Sequence, residues 1–294
     1  MNMTTLSLPE HAVRRCQRML NSLHSTAYFT ADFADALAAR GITDPAAAHL
    51  TAKTAALGAV GPGTASAALG GIGHGLLARH LPHVWERITP AEVLELRFAA
   101  ADSTLRRLLG HDTLASPRMA EAARLALRAT EACVPQGRPM YAALADVKEP
   151  EPAHLALWYA ATLLREYRGD GHLCVLVGAG IAGLEALVLH AATGEGVPKD
   201  AVIAGQGWSE REWEEAESRL RARGLLGPEN QLTEQGRTLR EDLEDETDRL
   251  DAAPFAHLGG EGVARLTELT ESFVRAAADA GAYPAHLRQL FLPV

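Results

Sequence analysis

Residues 165–183 read REYRGDGHLCVLVGAGIAG, and this stretch decides the fold because it supports two incompatible structures. Its second half has the glycine spacing of a dinucleotide-binding turn, with glycines at positions 178, 180 and 183. Its first half places Arg168, Asp170 and His172 beside an apolar run. Nucleotide-binding glycines would make the chain a flavin or nicotinamide enzyme. Glycines that only allow close packing would leave any chemistry to the ionisable residues.

The residues that follow lack what a dinucleotide site requires. Such a site needs a second strand that ends in an acidic residue about 20 residues further on. After Gly183 the chain continues LEALVLHAATGEGVP, which contains no such strand, and we predict a helix over 173–191. Gly178, Gly180 and Gly183 are therefore expected to allow close helix packing, although glycine inside a helix costs about 1 kcal/mol. No cofactor is expected; a flavin or a haem stays open, because neither requires this motif.

The composition favours a helical protein of the cytoplasm. Apolar residues make up 47% of the 294 positions and aromatic residues only 5%, so that alanine and leucine dominate. A net charge of −9 argues against nucleic acid as a partner, because phosphates are bound by clustered Lys and Arg. The spacing of Cys16, Cys133 and Cys174 indicates reduced thiols and predicts no metal site. No secretory signal and no charge-free apolar stretch of membrane length is found, so no membrane partner is expected.

The chain contains what we interpret as two diverged copies of one unit. The first copy runs from Leu81-Pro82 to Gly110, and the second runs from Val197-Pro198 to Gly227. Thr89 and Ser209 are the predicted N-caps of a helix in each copy. The repeat predicts a pseudo-twofold arrangement with a pocket between the halves. Such a chain could be a monomer or a homodimer.

Residues 198–250 resemble the DNA-binding unit of MarR-type winged-helix regulators. The resemblance is carried by residues 219–237, RLRARGLLGPENQLTEQGR. It implies a helix that ends near Gly224, a hairpin wing around Asn230 and a new helix after Thr233. The predicted recognition helix, 209–224, carries five glutamates and only a few arginines near its end. We therefore expect the fold to be kept and DNA binding to be lost, because carboxylates repel phosphates.

The whole chain is also similar to an actinobacterial family of helix-turn-helix proteins. The similarity lies in HSTAYF (24–29), HLALW (154–158), REYRGDGH (165–172), EALVLHAATG (185–194) and residues 232–237. It implies a helical fold but no particular activity. We divide the chain into a first repeat at 1–137, a second repeat at 138–253 with its winged helix at 198–250, and a helical segment at 254–294.

The segment 165–172 is the main candidate for chemistry. Gly169 and Gly171 would let the backbone turn close to a ligand, Asp170 would orient an imidazole, and His172 would act as general acid or base. Arg165 and Arg168 are suited to capturing a carboxylate. The alternative is structural: Asp170 would cap a helix over 171–191, and the arginines would form surface salt bridges.

Four further residues complete the predicted site. His24 and Tyr28 lie four apart and would share a helix face, where they could relay protons or belong to an aromatic core. Lys53 lies in the first repeat where Arg168 lies in the second, and it could hold an anion or act as a base. Glu185 is expected to be a buried charge that pairs with Arg165 or Lys53.

These observations predict a mainly α protein with two diverged winged-helix-like repeats in pseudo-twofold arrangement and flanking helices. The predicted function is a small-molecule enzyme of secondary metabolism that acts on a polar or anionic metabolite. Its catalytic residues would be His172, Asp170, His24 and Tyr28, and its substrate-binding residues Arg165, Arg168, Lys53 and Glu185. One alternative is a ligand-responsive MarR-like transcription regulator, with a basic surface of Arg219, Arg221, Arg223 and Arg237. Another is a protein that binds a small molecule without turnover.

Overall fold

The structure, a computed structural model, describes residues 10–194 and 196–292 and is built almost entirely of helices. In chain order they are α1 (Glu10–Ser25), α2 (Ala31–Ala38), α3 (Pro45–Thr54), α4 (Pro62–Leu69), α5 (His74–His80), α6 (Pro90–Leu114), α7 (Pro117–Thr130), α8 (Pro139–Ala145), α9 (Ala153–Gly178), α10 (Gly183–Ala191), α11 (Lys199–Gln206), α12 (Glu210–Ala222), α13 (Glu234–Asp279) and α14 (Arg288–Phe291). Short 3₁₀ helices cover Thr26–Phe29, Ala55–Leu57 and His83–Glu86. Within the described ranges, extended pairing is limited to one antiparallel bridge between Leu226 and Leu232. The predicted mainly helical class is confirmed.

A helical bundle forms the centre of the molecule. Helix α1 packs along α13, so that helices from the two ends of the chain are neighbours, and α9 packs along α7. The faces of α7 and α9 that meet are lined by small residues such as Ala122, Ala126, Ala160 and Ala161, all of them buried. Because these side chains are small, the helix axes can approach closely, and larger residues such as Phe255 fill the remaining space.

Two smaller units, each with its own core, are attached to the bundle. Lobe 1 (residues 31–96) contains α2 to α5 and the start of α6, and lobe 2 (residues 183–250) contains α10 to α12 and the start of α13. Each lobe includes a capping box: the Thr89 side chain caps α6, and the Ser209 side chain caps α12. Both predicted N-caps are confirmed.

One long helix leads from each lobe into the bundle, and both helices bend at a glycine. Gly110 in α6 has φ 72° and ψ 162°, and Gly259 in α13 has φ 77° and ψ 164°. A side chain would be strained in this backbone region, which explains why glycine is found at both bends.

The glycine-containing stretch at residues 165–183 is helical up to Gly178. Gly180, with φ 64°, ends α9, and a Cβ atom at Gly183 would overlap the carbonyl oxygen of Gly70 in lobe 1. The close-packing interpretation therefore holds for Gly183, and the predicted continuous helix over 173–191 is interrupted at 179–182. The prediction of a tight turn at Gly169 and Gly171 is wrong, because both residues lie inside α9. Gly171 makes room there for the Arg138 guanidinium.

The residue correspondence assumed for the repeat is also wrong. Leu105 to Gly110 lies in the second half of α6, whereas Leu220 to Gly227 spans the end of α12 and the turn after it. The predicted boundary after residue 253 falls inside α13. Within the described part of the chain, no single helix is long and apolar enough to cross a membrane; α9 and α10 together would be, but they meet at a bend of 98°.

Candidate functional site: a central cavity beside a helix-turn-helix

A cavity of about 720 Å³, here called the central cavity, lies where the two lobes meet the bundle. The cavity is lined by residues of α1 and α9 in the bundle and by residues of α13 at the base of lobe 2. Helix α4 of lobe 1 and helix α10 of lobe 2 supply further lining residues. Five of the eight predicted site residues line it, namely Arg165, Arg168, Asp170, His172 and Lys53. Four of these five come from α9, where Arg165, Arg168 and His172 share one helix face because they are three and four residues apart.

Most of the arginines at this cavity are already paired. Arg168 contacts Asp248 at 2.5 Å and Glu244 at 3.2 Å, both on α13. Arg165 pairs with Glu166 and donates to Asn21 Oδ1 at 3.0 Å. For Lys53 and Arg240, by contrast, no ion pair is found within the described residues, and both side chains are half-buried. Two half-buried cations therefore face the cavity with no ion-pair partner among the described residues.

The hydrogen bond between His172 and Thr247 sets which ring nitrogen of the histidine donates. The Thr247 hydroxyl donates to the Leu243 carbonyl at 2.7 Å, so it accepts from Nδ1–H of His172 at 2.9 Å. This leaves Nε2 as an acceptor. Burial lowers the pKa of His172, the Glu244 carboxylate opposes this shift, and Arg168 and Arg240 add to it. His172 can accept a hydrogen bond from a ligand, and the protonated form is disfavoured.

Asp170 has a structural role that the sequence did not indicate. Its Oδ2 accepts from the backbone N–H of Tyr141 at 2.9 Å, in the first turn of α8. Burial raises the pKa of Asp170 to about 6, and hydrogen bonds from the α8 backbone oppose that shift. Asp170 thus anchors α8, and it neither orients His172 nor caps a helix over 171–191, as the sequence had suggested.

Tyr28 lines a second, smaller cavity of about 280 Å³, and His24 is buried directly behind it. His24 Nε2 and the Tyr28 hydroxyl are 2.8 Å apart, and the imidazole stacks on Trp158. His24 is fully buried, and burial together with Arg165 lowers its pKa well below the usual range. The aromatic-core interpretation therefore holds for His24, while Tyr28 is 40% exposed and lines the smaller cavity beside Arg97.

Glu185 lies away from both cavities. Its carboxylate accepts from Arg219 Nε at 2.8 Å and from the backbone N–H of Ala182 at 3.0 Å. The expected pairing with Arg165 or Lys53 is wrong, because the first turn of α10 faces α12. Glu185 stabilises the position of α12 within lobe 2.

Helices α11 and α12 form a helix-turn-helix. They are joined by residues 207–209, and Gly207 adopts φ 74°, the left-handed conformation that a short turn between two helices requires. The inner face of α12 is apolar, with Trp213, Ala216 and Leu220 buried. Its outer face exposes Arg211, Glu214, Glu215 and Ser218.

The basic surface expected of a regulator is not assembled in this lobe. Each of the four arginines is bonded within the chain. The pairs are Arg219 with Glu185, Arg221 with Asn230, Arg223 with the Gly180 carbonyl, and Arg237 with Glu234. Lobe 2 contains sixteen acidic and eight basic residues, so it carries most of the net charge of −9.

The helix-turn-helix touches lobe 1 through what we call the interlobe contact, formed by residues 70–73, 206–208 and 183. The Gly73 backbone N–H donates to the Gln206 carbonyl at 2.8 Å, and Trp208 Nε1–H donates to the Gly71 carbonyl at 2.9 Å. The contact borders the central cavity, because Gly71 and Gly183 line both. Except for the close packing at Gly183, sequence reasoning missed these residues, and it also missed Arg240. The only signal for them was the glycine-rich run GGIGHG at 70–75, where a side chain would prevent the close approach.

The chain belongs to a helix-turn-helix family, whose sequence profile matches residues 13–284. No curated protein and no solved structure matches the chain. The prediction of a small-molecule enzyme is therefore wrong: a match over nearly the whole chain points to a regulator that binds DNA. The ionisable cluster that suggested catalysis is largely used for ion pairs and for anchoring α8.

Proposed function

We propose that the chain is a ligand-responsive transcription regulator that binds DNA through its helix-turn-helix. The observation that carries the proposal is the helix-turn-helix formed by α11, Gly207 and α12, in a chain that belongs to a helix-turn-helix family. The helix-turn-helix reaches lobe 1 through the interlobe contact, and this contact borders a cavity large enough for a small molecule, which gives an effector a route to control it.

Lobe 2 is, in this proposal, a MarR-like winged-helix unit. After α12 the chain turns back through a bridge between Leu226 and Leu232, with Asn230 in the left-handed conformation at φ 61°. Thr233 then caps α13 through the backbone N–H of Gly236. This order of helices, narrow hairpin and long helix supports a small wing beside α12.

The two halves of the chain would form a pseudo-twofold pair within one polypeptide. Support comes from the reciprocal packing of α1 on α13 and α9 on α7, and from the matching bends at Gly110 and Gly259. A two-fold arrangement would let one chain address DNA as helix-turn-helix dimers do.

The exposed face of α12 would enter the major groove. Arg211 and Ser218 can donate to base edges, and Glu214 and Glu215 can accept from cytosine amino groups. Carboxylates on this face weaken attraction to phosphates, so we expect affinity to depend on the preferred sequence more than on charge. Because the interlobe contact covers the turn before α12, DNA binding is expected to require the lobes to separate.

Selection of binding sequences from a random duplex library tests the proposal. The selection is run at about 50 mM salt, where electrostatic binding is strongest, and affinity for the enriched duplex is then measured by fluorescence anisotropy. Removal of Arg211 and Ser218 together (Arg211→Ala, Ser218→Ala) should weaken binding by about tenfold or more, as expected for lost base contacts. Arg118→Ala is the matched control, since Arg118 is exposed on the bundle at α7. Failure to enrich any sequence would contradict the proposal.

A second candidate is a protein that binds a small molecule and acts without DNA. It is favoured by the arginines of α12 and the hairpin, all of which are bonded within the acidic lobe 2. The same selection distinguishes the two, because this candidate predicts ligand binding in the central cavity and no enriched duplex.

A further inference from the structure

We infer that the central cavity binds an anionic small molecule with an apolar body, held between Lys53 of lobe 1 and Arg240 of lobe 2. The inference names the class of effector for the regulator proposed above and, for its consequence on DNA binding, rests on that function. The binding site itself stands on the cavity's own charges and shape.

The first argument is a surplus of positive charge. The cavity is lined by six Arg or Lys side chains and by three carboxyl groups, those of Glu166, Asp170 and Glu244. The six cations are Arg14, Arg18, Lys53, Arg165, Arg168 and Arg240. Arg14, Arg165 and Arg168 are paired with carboxylates, and Arg18 is exposed and donates to the Leu290 carbonyl at 3.4 Å.

Lys53 and Arg240 are the cations best placed to gain an anionic partner. No ion pair is found for either of them among the residues that the structure describes, and both are half-buried, so water screens them less than it would a surface residue. A carboxylate, sulfonate or phosphate group between them would supply the missing counter-charge. His172 adds a neutral acceptor at Nε2 for a hydroxyl or amide of the same ligand.

The second argument is the apolar wall that faces these cations. Leu69 of α4, Leu173 of α9 and Leu187 of α10 line the cavity and are only half-buried, although leucine is normally buried. An inorganic ion would leave these side chains against water. At about 720 Å³ the cavity accommodates an organic molecule whose apolar body covers them.

The position of the two cations gives the consequence of binding. Lys53 lies on α3 in lobe 1, whereas Arg240 lies near the start of α13 in lobe 2. A ligand that contacts both lobes binds more tightly when they are together, so it shifts the population toward the arrangement in which the interlobe contact is made. The effector would therefore keep the turn before α12 against lobe 1 and release DNA.

Two fluorescent probes with the same aromatic body test the site on the full chain. One is 8-anilinonaphthalene-1-sulfonate, and the other is its uncharged counterpart, N-phenyl-1-naphthylamine. We expect the sulfonate to bind about tenfold more tightly, and Lys53→Met and Arg240→Met each to weaken its binding about tenfold, as for a lost hydrogen bond to a charged group. Arg79→Met, an exposed cation of lobe 1 outside the cavity, should leave the affinity unchanged.

Equal affinity for the two probes would overturn the inference, and this comparison needs no variant. Sulfonate binding that survives in the variant lacking both Lys53 and Arg240 would overturn it as well. The titration contains no DNA, so a failed sequence selection would refute the proposed function and leave this site standing. Conversely, an enriched duplex combined with equal probe affinities would refute the effector class alone.

Discussion

Helices α6 and α13 each lead from a lobe into the bundle, and each has an aspartate at the same distance from its bend. The surroundings of the two aspartates differ. Asp102 lies eight residues before the bend at Gly110, and Asp251 lies eight residues before the bend at Gly259. Equal spacing on two equally bent helices places both carboxyl groups where the helix enters the bundle.

The partners of the two carboxyl groups differ. Asp102 is 31% exposed at its side chain and is bonded by His154 at 2.5 Å and Arg106 at 2.8 Å. Burial alone would raise the pKa of Asp102, but these two hydrogen bonds lower it below its usual value. Asp251 is 1% exposed; its Oδ2 accepts from Gln17 at 2.5 Å and its Oδ1 has no hydrogen-bond partner.

Burial raises the pKa of Asp251 to about 7, against the effect of Gln17 and Arg168, which lower it. Gln17 and Arg168 also line the central cavity. The comparison teaches that the first half of the chain uses this position as a charged anchor, whereas the second half keeps a buried carboxyl that titrates near neutral pH beside two residues of the cavity.

The largest expected effect tests the shared bend. Gly110→Ala and Gly259→Ala should each lower the free energy of unfolding by about 1–3 kcal/mol, because alanine is strained at these dihedral angles. A Cβ at either position would meet nothing within 4 Å, so neither packing gain nor a clash would obscure the strain. Denaturant unfolding measures the change.

Gly178→Ala is the control for this pair. A Cβ there also meets nothing within 4 Å, but Gly178 lies in the helical conformation at the end of α9, where alanine is preferred by up to about 1 kcal/mol. If only one of the two bend variants is destabilised, the two long helices are not equivalent.

The next effect tests the two carboxyl groups by their pH dependence. The native pKa of Asp251 lies above its unfolded value, so the folded state binds the proton more tightly and stability falls as pH rises from about 4 to about 7. Asp251→Asn removes this slope and should be more stable than the natural chain at pH 8 by about 1–3 kcal/mol.

Asp102→Asn should behave in the opposite way. The native pKa of Asp102 is lowered, so its contribution is present above an unfolded pKa of about 4 and is lost as pH falls. The loss at pH 7 should not exceed about 1 kcal/mol, because solvent screens this partly exposed group. Thermal unfolding of both variants between pH 4 and pH 8 measures the slopes, and slopes of the same sign would break the comparison.

The features that sequence reasoning predicted correctly depend on neighbouring residues. The caps Thr89 and Ser209 are determined within four residues, and a run of alanine and leucine favours helix wherever it packs. The four α9 residues that were predicted and do line the cavity were found for the same reason, since they lie within eight positions of one another.

The features that sequence reasoning missed depend on contacts between segments that are far apart in the chain. The partner of Glu185 is 34 residues away, and the interlobe contact joins residues separated by more than 110 positions. The enzyme prediction was wrong for a related reason. An acid beside a histidine has the composition of a catalytic pair, and only the fold revealed that Asp170 faces α8.

The smallest expected effect compares two tryptophans, one in each lobe, that each donate one hydrogen bond. Trp208 Nε1–H donates to the Gly71 carbonyl of the other lobe at 2.9 Å, and Trp85 Nε1–H donates to the Val60 carbonyl of its own lobe at 3.0 Å. Replacing either tryptophan by phenylalanine removes one donor, at a cost of about 0.5–1.5 kcal/mol.

The two substitutions should differ in where that cost is felt. Trp208→Phe weakens the interlobe contact, so hydrogen exchange at the Gly73 amide, which donates to Gln206, should quicken about fivefold while the amides of the lobe 1 core are unchanged. Trp85→Phe should quicken exchange inside lobe 1 and leave the Gly73 amide unaffected. If Trp208→Phe quickens both sets of amides equally, the lobes do not separate independently of global unfolding, and a ligand between Lys53 and Arg240 would have no interlobe equilibrium to shift.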